Sequence, residues 1–242
     1  MARPLRIAAR LLLMFAWFAL CTPAFYLFKP FTRHNPVPSR FMAGIARIAG
    51  ARVEKHGIAH RPRAILLANH VSWLDVPLLA ATSGTAFVAH DGLAKFRFLK
   101  WLCDMNNTVF ISRHRRSTVA RQIADIRDAL HRTAHLALFP EGTTSDGRTL
   151  LPMKSALLSA IEPPPPGVAV QPVFLDYGRH AGEIAWFGEE TGVANFLRIL
   201  GRSKGFDVAV KYLPALTHHQ LSSRKAIASA VSHALESARR AP

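Results

Sequence analysis

The chain has 242 residues, half of them hydrophobic and 9% aromatic, which suits one large α/β domain with a full core and excludes a disordered chain. A net charge of +16 and a pI near 11.1 point to an anionic partner: nucleic acid, an anionic membrane surface or an acidic carrier. Cys21 and Cys103 are the two cysteines, which excludes a disulfide framework and fits a reducing compartment.

Arg3, Arg6 and Arg10 lead into an apolar run over residues 11–28, broken by Thr22-Pro23. A spanning helix needs about 20 apolar residues. Three readings stand: a cleaved signal peptide, a single span, or a segment held in one leaflet. Residues 29–38 form a connector. Ser39 is placed to cap a short helix with Phe41, Met42, Ile45 and Ile48 on one face, which Gly50 stops. From residue 51 short strands and helices alternate. Strands are expected around Val53 and at 64–68, 85–89, 108–112, 136–139, 168–175, 183–187 and 207–213. Helices are expected at 73–82, 117–132, 153–161, 192–200 and 222–239. The pattern at 117–132 is the clearest, with Ser117 as cap and Val119, Ile123, Ile126 and Leu130 sharing a face. Such alternation predicts an α/β fold, a mixed, largely parallel sheet covered by helices.

Asn69-His70-Val71-Ser72-Trp73-Leu74-Asp75 follows the apolar strand at 64–68, so His70 sits where a strand ends, a usual place for chemistry. Histidine is the side chain best suited to act as a base near neutral pH, and a carboxylate on its other ring nitrogen fixes the tautomer. An offset of five on one helix would point the two side chains apart. His70 must therefore lie in the loop and Asp75 in the first turn of the next helix. The alternative is structural: Ser72 and Asp75 have capping-box spacing, making Asp75 a helix-start residue and His70 a loop histidine. A second strand-to-turn stretch runs Leu136-Ala137-Leu138-Phe139-Pro140-Glu141-Gly142-Thr143-Thr144-Ser145.

N-H-x-x-x-x-D and F-P-E-G-T in this order resemble the two signature blocks of the glycerolipid acyltransferases typified by 1-acylglycerol-3-phosphate acyltransferase. Val109-Phe110-Ile111-Ser112-Arg113 and Val170-Gln171-Pro172-Val173-Phe174 are similar to two further blocks of that family, so the resemblance covers about residues 60–180. It implies an uncleaved helical membrane anchor over 1–50, an acyltransferase domain over 51–242, and a place on the cytoplasmic face of a bacterial inner membrane. It implies a catalytic His70 and Asp75, with Arg113, Glu141, Gly142 and Thr143 binding the acceptor. The expected partners are membrane lipids, a lysolipid acceptor, and acyl-CoA or acyl-carrier protein as co-substrate, with no cofactor.

The chemistry is reasonable for those residues. A thiol leaves an acyl thioester easily, so no enzyme nucleophile is required. The attacking hydroxyl must lose its proton, and a placed base supplies typically 100- to 10,000-fold. Ser72 lacks the G-x-S-x-G elbow of a nucleophile. Backbone N–H groups near the start of the helix after His70 are the expected oxyanion donors. Arg113 can grip a phosphate or carboxylate bidentately, and Gly142 admits a close backbone approach.

Two positions depart from the family pattern. Thr144 stands where arginine is common, and Ser112 where aspartate is. The first expected acceptor is 1-acylglycerol-3-phosphate, giving phosphatidate. The alternative is a lyso-ornithine lipid, a phosphate-free aminolipid, because the E-G-T-T-S-D-G run, residues 151–157 and Trp186-Phe187-Gly188 look similar to that subgroup. A non-catalytic membrane-surface or nucleic-acid binder would also explain +16. The charge is nevertheless spread along the chain without a nucleic-acid module, so no nucleic acid is expected. Twelve histidines, among them His114, His131, His135, His180 and His218-His219, show no metal-ligand spacing, so no metal is expected either.

Overall fold

The structure, a computed structural model, describes residues 2–32, 35–90, 97–111 and 119–241. Arg113, Ser112 and the expected cap Ser117 lie outside the described residues.

Seven strands form one sheet: β1 (Ala51–His56), β2 (Ala64–Ala68), β3 (Ala86–His90), β4 (Val109–Ile111), β5 (His135–Leu138), β6 (Ala169–Asp176) and β7 (Phe206–Tyr212). Their order is β1-β7-β6-β2-β5-β3-β4. β6 and β7 pair antiparallel and every other neighbouring pair is parallel. The sheet is therefore mixed and largely parallel, as expected. β2 is central and buried on both faces, hence its unbroken apolar run. Leu66 and Ala68 enter one core, Ile65 and Leu67 the other.

The helices are α1 (Arg3–Phe28), α2 (Val37–Ala49), α3 (Asp75–Ser83), α4 (Arg97–Met105), α5 (Val119–Arg132), α6 (Ala181–Ile184), α7 (Gly192–Leu200) and α8 (Arg224–Arg240). Residues of α2, α3 and α7 enter the first core; those of α5 and α8 enter the second. Four expectations change. Residues 183–187 are not a strand: Ala181, Ile184 and Ala185 bury at helical spacing, so the chain forms α6 and then a turn. Residues Ser155–Ile161 wind as a 3-10 helix. α4 was not anticipated, although Phe98, Trp101, Leu102 and Met105 have helical spacing. α2 begins before Ser39, because the Asn35 side chain accepts from the Val37 N–H at 3.0 Å. Gly50 does end it, with a φ of 104° that glycine adopts readily.

α1 is continuous through Pro23. Proline removes one helical hydrogen bond, and the Thr22 hydroxyl bonds the Phe18 carbonyl one turn back at 2.9 Å. With 26 residues and a mean hydropathy of 2.0 over its most apolar 18-residue window, α1 is long and apolar enough to cross a membrane. It nevertheless packs on the protein. Met14, Cys21 and Phe25 are buried, the Trp17 indole donates to the Phe41 carbonyl at 3.1 Å, and a side chain at Gly44 would strike that indole. The outward side stays bare, with Leu12 and Phe15 each 68% exposed.

Candidate active site

Where β2 ends, the Asn69 side chain replaces a strand partner. Its amide accepts from the Leu175 N–H at 2.8 Å and donates to the Leu175 carbonyl at 3.1 Å. The backbone is thus free to turn, and His70 emerges at the sheet edge. α3 then starts at Asp75, not at Ser72. The Asp75 carboxylate is fully buried and accepts four hydrogen bonds. Oδ2 accepts from His70 Nδ1 at 2.7 Å, the Val71 N–H at 2.6 Å and the Ser72 N–H at 2.9 Å. Oδ1 accepts from the Tyr177 hydroxyl at 2.5 Å. An acceptor-only carboxylate on Nδ1 fixes the proton there and leaves Nε2 as the basic nitrogen. Asp75 also orders the loop that carries His70, so one carboxylate both starts the helix and holds the histidine. The N–H groups of Val71 and Ser72 are turned onto Asp75 and are not free for an oxyanion.

Tyr177 had no signal in the sequence, being 102 residues from Asp75. Burial, and secondarily the Asp75 charge, hold its phenol far above the ordinary range, so it remains a donor at any working pH. Tyr177→Phe removes one of four donors to Asp75 while keeping the packing. It is expected to lower turnover about tenfold with KM for the acceptor unchanged, a split that steady-state kinetics resolves.

The second stretch folds over the first. The Phe139 ring stacks on His70 with centroids 4.1 Å apart and planes 16° from parallel. Gly142 has a φ of 72°, which allows the sharp turn after Glu141. The Ser145 N–H donates to the His70 carbonyl and the Trp186 N–H to the Val71 carbonyl, each at 2.8 Å. The Thr144 hydroxyl bonds the Trp186 carbonyl. Three separate loops are thereby knitted around the histidine.

Glu141 does not face the acceptor space, contrary to expectation. Its side chain is fully buried beneath the turn, accepting from the His70 N–H and the Leu151 N–H at 3.1 Å each. Burial pushes its carboxyl up to about 7, outweighing these two donors and the nearby imidazole, which pull it down.

His70 opens into a cavity of about 670 Å³. Phe87, Val88, Leu102, Leu138, Phe139 and Met42 give it apolar lining. Thr144, Trp186, Phe187 and Glu190 line it as well. Gly142 and Thr143 line the cavity too. Among the described lining residues there is no lysine or arginine, in a chain with 31 of them. Glu190 is ionised and held well below the usual carboxylate range, at about 2, chiefly by hydrogen bonds from Arg198. A crevice lined by Phe18, Cys21, Val37 and Phe41 adjoins the cavity and shares Met42, Leu102 and Asn106 with it. Among the described residues no group of three His, Cys, Asp or Glu could hold a metal ion.

The acyltransferase family model matches residues 52–176, which include His70, Asp75 and Glu141–Thr143. The chain is 34% identical over 195 residues to a lyso-ornithine lipid O-acyltransferase of Rhizobium meliloti (strain 1021), covering 74% of this chain and 66% of that protein. It is 30% identical over 178 residues to a 1-acyl-sn-glycerol-3-phosphate acyltransferase of Neisseria meningitidis serogroup B, covering 68% of this chain and 69% of that one. The crystal structure of the 1-acyl-sn-glycerophosphate acyltransferase from Thermotoga maritima superposes with a TM-score of 0.65 over 98% of this chain and 99% of that one; at 22% identity this likeness concerns the fold. The chain belongs to the acyltransferase family.

Proposed function

We propose that this protein is a membrane-bound O-acyltransferase that moves an acyl chain from an acyl thioester to the free hydroxyl of a lysolipid. The observation that carries the reading is the His70–Asp75 pair, 2.7 Å apart, at the mouth of a largely apolar cavity. Nε2 of His70 takes the proton of the acceptor hydroxyl as its oxygen attacks the thioester carbon. Asp75 stabilises the imidazolium, and the thiol then leaves, taking the proton back from Nε2. With the N–H groups of Val71 and Ser72 occupied, Thr143, which lines the same cavity as His70, is the donor assigned to the tetrahedral oxyanion. The apolar wall and its adjoining crevice take the acyl chains. α1 serves as an anchor lying in one leaflet, since one of its sides is packed on the protein. The active site would then face the cytoplasm.

For the acceptor we favour a lyso-ornithine lipid over 1-acylglycerol-3-phosphate, reversing the order drawn from sequence. A phosphate needs cations, and the described lining has none; the carboxylate of Glu190, which also lines the cavity, is already paired with Arg198 and gives a phosphate nothing to bind. Thr144, in the place of the usual arginine, is bonded into the wall by Trp186. The 1-acylglycerol-3-phosphate reading keeps support from the Neisseria relative and from Arg113, whose side chain could serve a phosphate. Purified membranes given labelled acyl-carrier protein thioester and either lysolipid decide between them. The expected product is the diacylated ornithine lipid. Phosphatidate alone would overturn the acceptor assignment, and neither product would overturn both.

A further inference from the structure

A second cleft, of about 620 Å³, opens on the same edge of the sheet as the His70 cavity. β7 lies two strands from β2, about 10 Å along that edge. β7 runs antiparallel to β6, so its start meets the end of β6, and Arg52 on parallel β1 falls beside Asp207. The cleft gathers Arg52, Arg179, His180, Arg202 and Lys204 against one acid, Glu183. Arg52 is paired with Asp207 at 2.7 Å and Arg202 with Glu183. Arg179 and Lys204 make no salt bridge among the described residues; Arg179 donates to His180 Nε2 at 3.4 Å and lies near enough to Asp207 for its charge to help lower that carboxyl. Arg202 rests on the Phe206 ring, 5.6 Å from its centroid, and its Nε is buried without a hydrogen-bond partner.

The basic end of α1 is tied to the same cleft. Arg10 donates to the carbonyls of Leu200 at 2.9 Å and Arg202 at 3.1 Å, and Arg6 to that of Gly201 at 3.1 Å. The outward side of α1 is apolar from its first turn, Leu5 being 59% exposed. A helix lying in the interface by that side brings the cleft to headgroup depth, where phosphates are concentrated. An acidic carrier protein has the matching charge, but it would need to reach a cleft that the bilayer already adjoins.

We infer that this cleft is a headgroup site for an anionic phospholipid of the surrounding bilayer, separate from the acceptor site at His70. The phosphate sits between Arg179 and Lys204, beside Arg202, and holds the basic end of α1 at the surface. The inference rests on α1 lying at a membrane and is independent of which lysolipid is acylated.

Flotation of the full-length protein with phosphatidylcholine vesicles, with and without phosphatidylglycerol, tests it. Each surface cation is worth about fivefold in partitioning onto an anionic bilayer. Arg179→Gln combined with Lys204→Gln is therefore expected to lose about 25-fold on phosphatidylglycerol vesicles and nothing on phosphatidylcholine alone. Arg224→Gln with Lys225→Gln, on α8 across the sheet, should change neither. Equal losses from both pairs would mean a diffuse charge effect and overturn the site, as would no loss from either. Unchanged flotation with reduced turnover on acyl-carrier protein thioester would give the cleft to a carrier protein and overturn it too. Failure of the unaltered protein to float with either vesicle would remove the anchor reading and the inference with it, whatever the assay of acyl transfer shows.

Discussion

His70→Ala is expected to lower acyl transfer by about 100- to 10,000-fold, the usual worth of a positioned general base. Membrane binding should be unchanged, because α1 and the His70 loop share no hydrogen bond among those of the described residues. Asp75→Asn is the sharper companion. An asparagine amide presents its NH2 or its oxygen to Nδ1, while the N–H groups of Val71 and Ser72 still require an acceptor. Its oxygen is held by those backbone donors, the NH2 turns toward Tyr177, and the tautomer of His70 is no longer fixed by a charge. The expected loss is of the same order as for His70→Ala, with the double variant no worse than either single one, since the pair acts as a unit. Activity that survives His70→Ala would sink the mechanism.

Glu141 has the second large effect, and it falls on stability. Glu141→Ala leaves two buried N–H groups without acceptors, at about 1–3 kcal/mol each, and loosens the loop that carries His70. The pH dependence has a definite sign. The folded carboxyl titrates near 7 and an unfolded one near 4.5, so between these values the folded chain holds the extra proton. Stability from this group is complete below about 4.5, declines as pH rises, and by pH 7 is lower by about 3 kcal/mol. Glu141→Gln cannot titrate. Its denaturation free energy should therefore lack this fall between pH 5 and 7, while the unaltered protein shows it. Parallel curves for the two proteins would refute the assignment.

How much of this could be read from sequence differs by residue. His70 and Asp75 were legible because both lie within one strand-loop-helix passage, where spacing alone restricts the geometry. The central strands were legible because burial on both faces leaves no polar position in β2. Tyr177 was hidden because its partner is brought close only by the β6–β2 pairing. Glu141 was placed in the right turn but given the wrong direction. Which way a side chain points there depends on two N–H groups, 71 residues behind it and 10 ahead. Residues 183–187 misled because Ile184 and Ala185 are apolar neighbours, a pattern as consistent with a single helical turn as with a strand edge.

On the proposed anchoring, the one-sided packing of α1 would also set the kinetics. A helix with one flank on the protein and the other in lipid would confine the enzyme to a plane, so it would meet its acceptor by diffusing in two dimensions. The relevant concentration is then the mole fraction of lysolipid in the surface. Adding inert lipid or detergent dilutes the substrate, and slows turnover, even when the amount per millilitre stays the same.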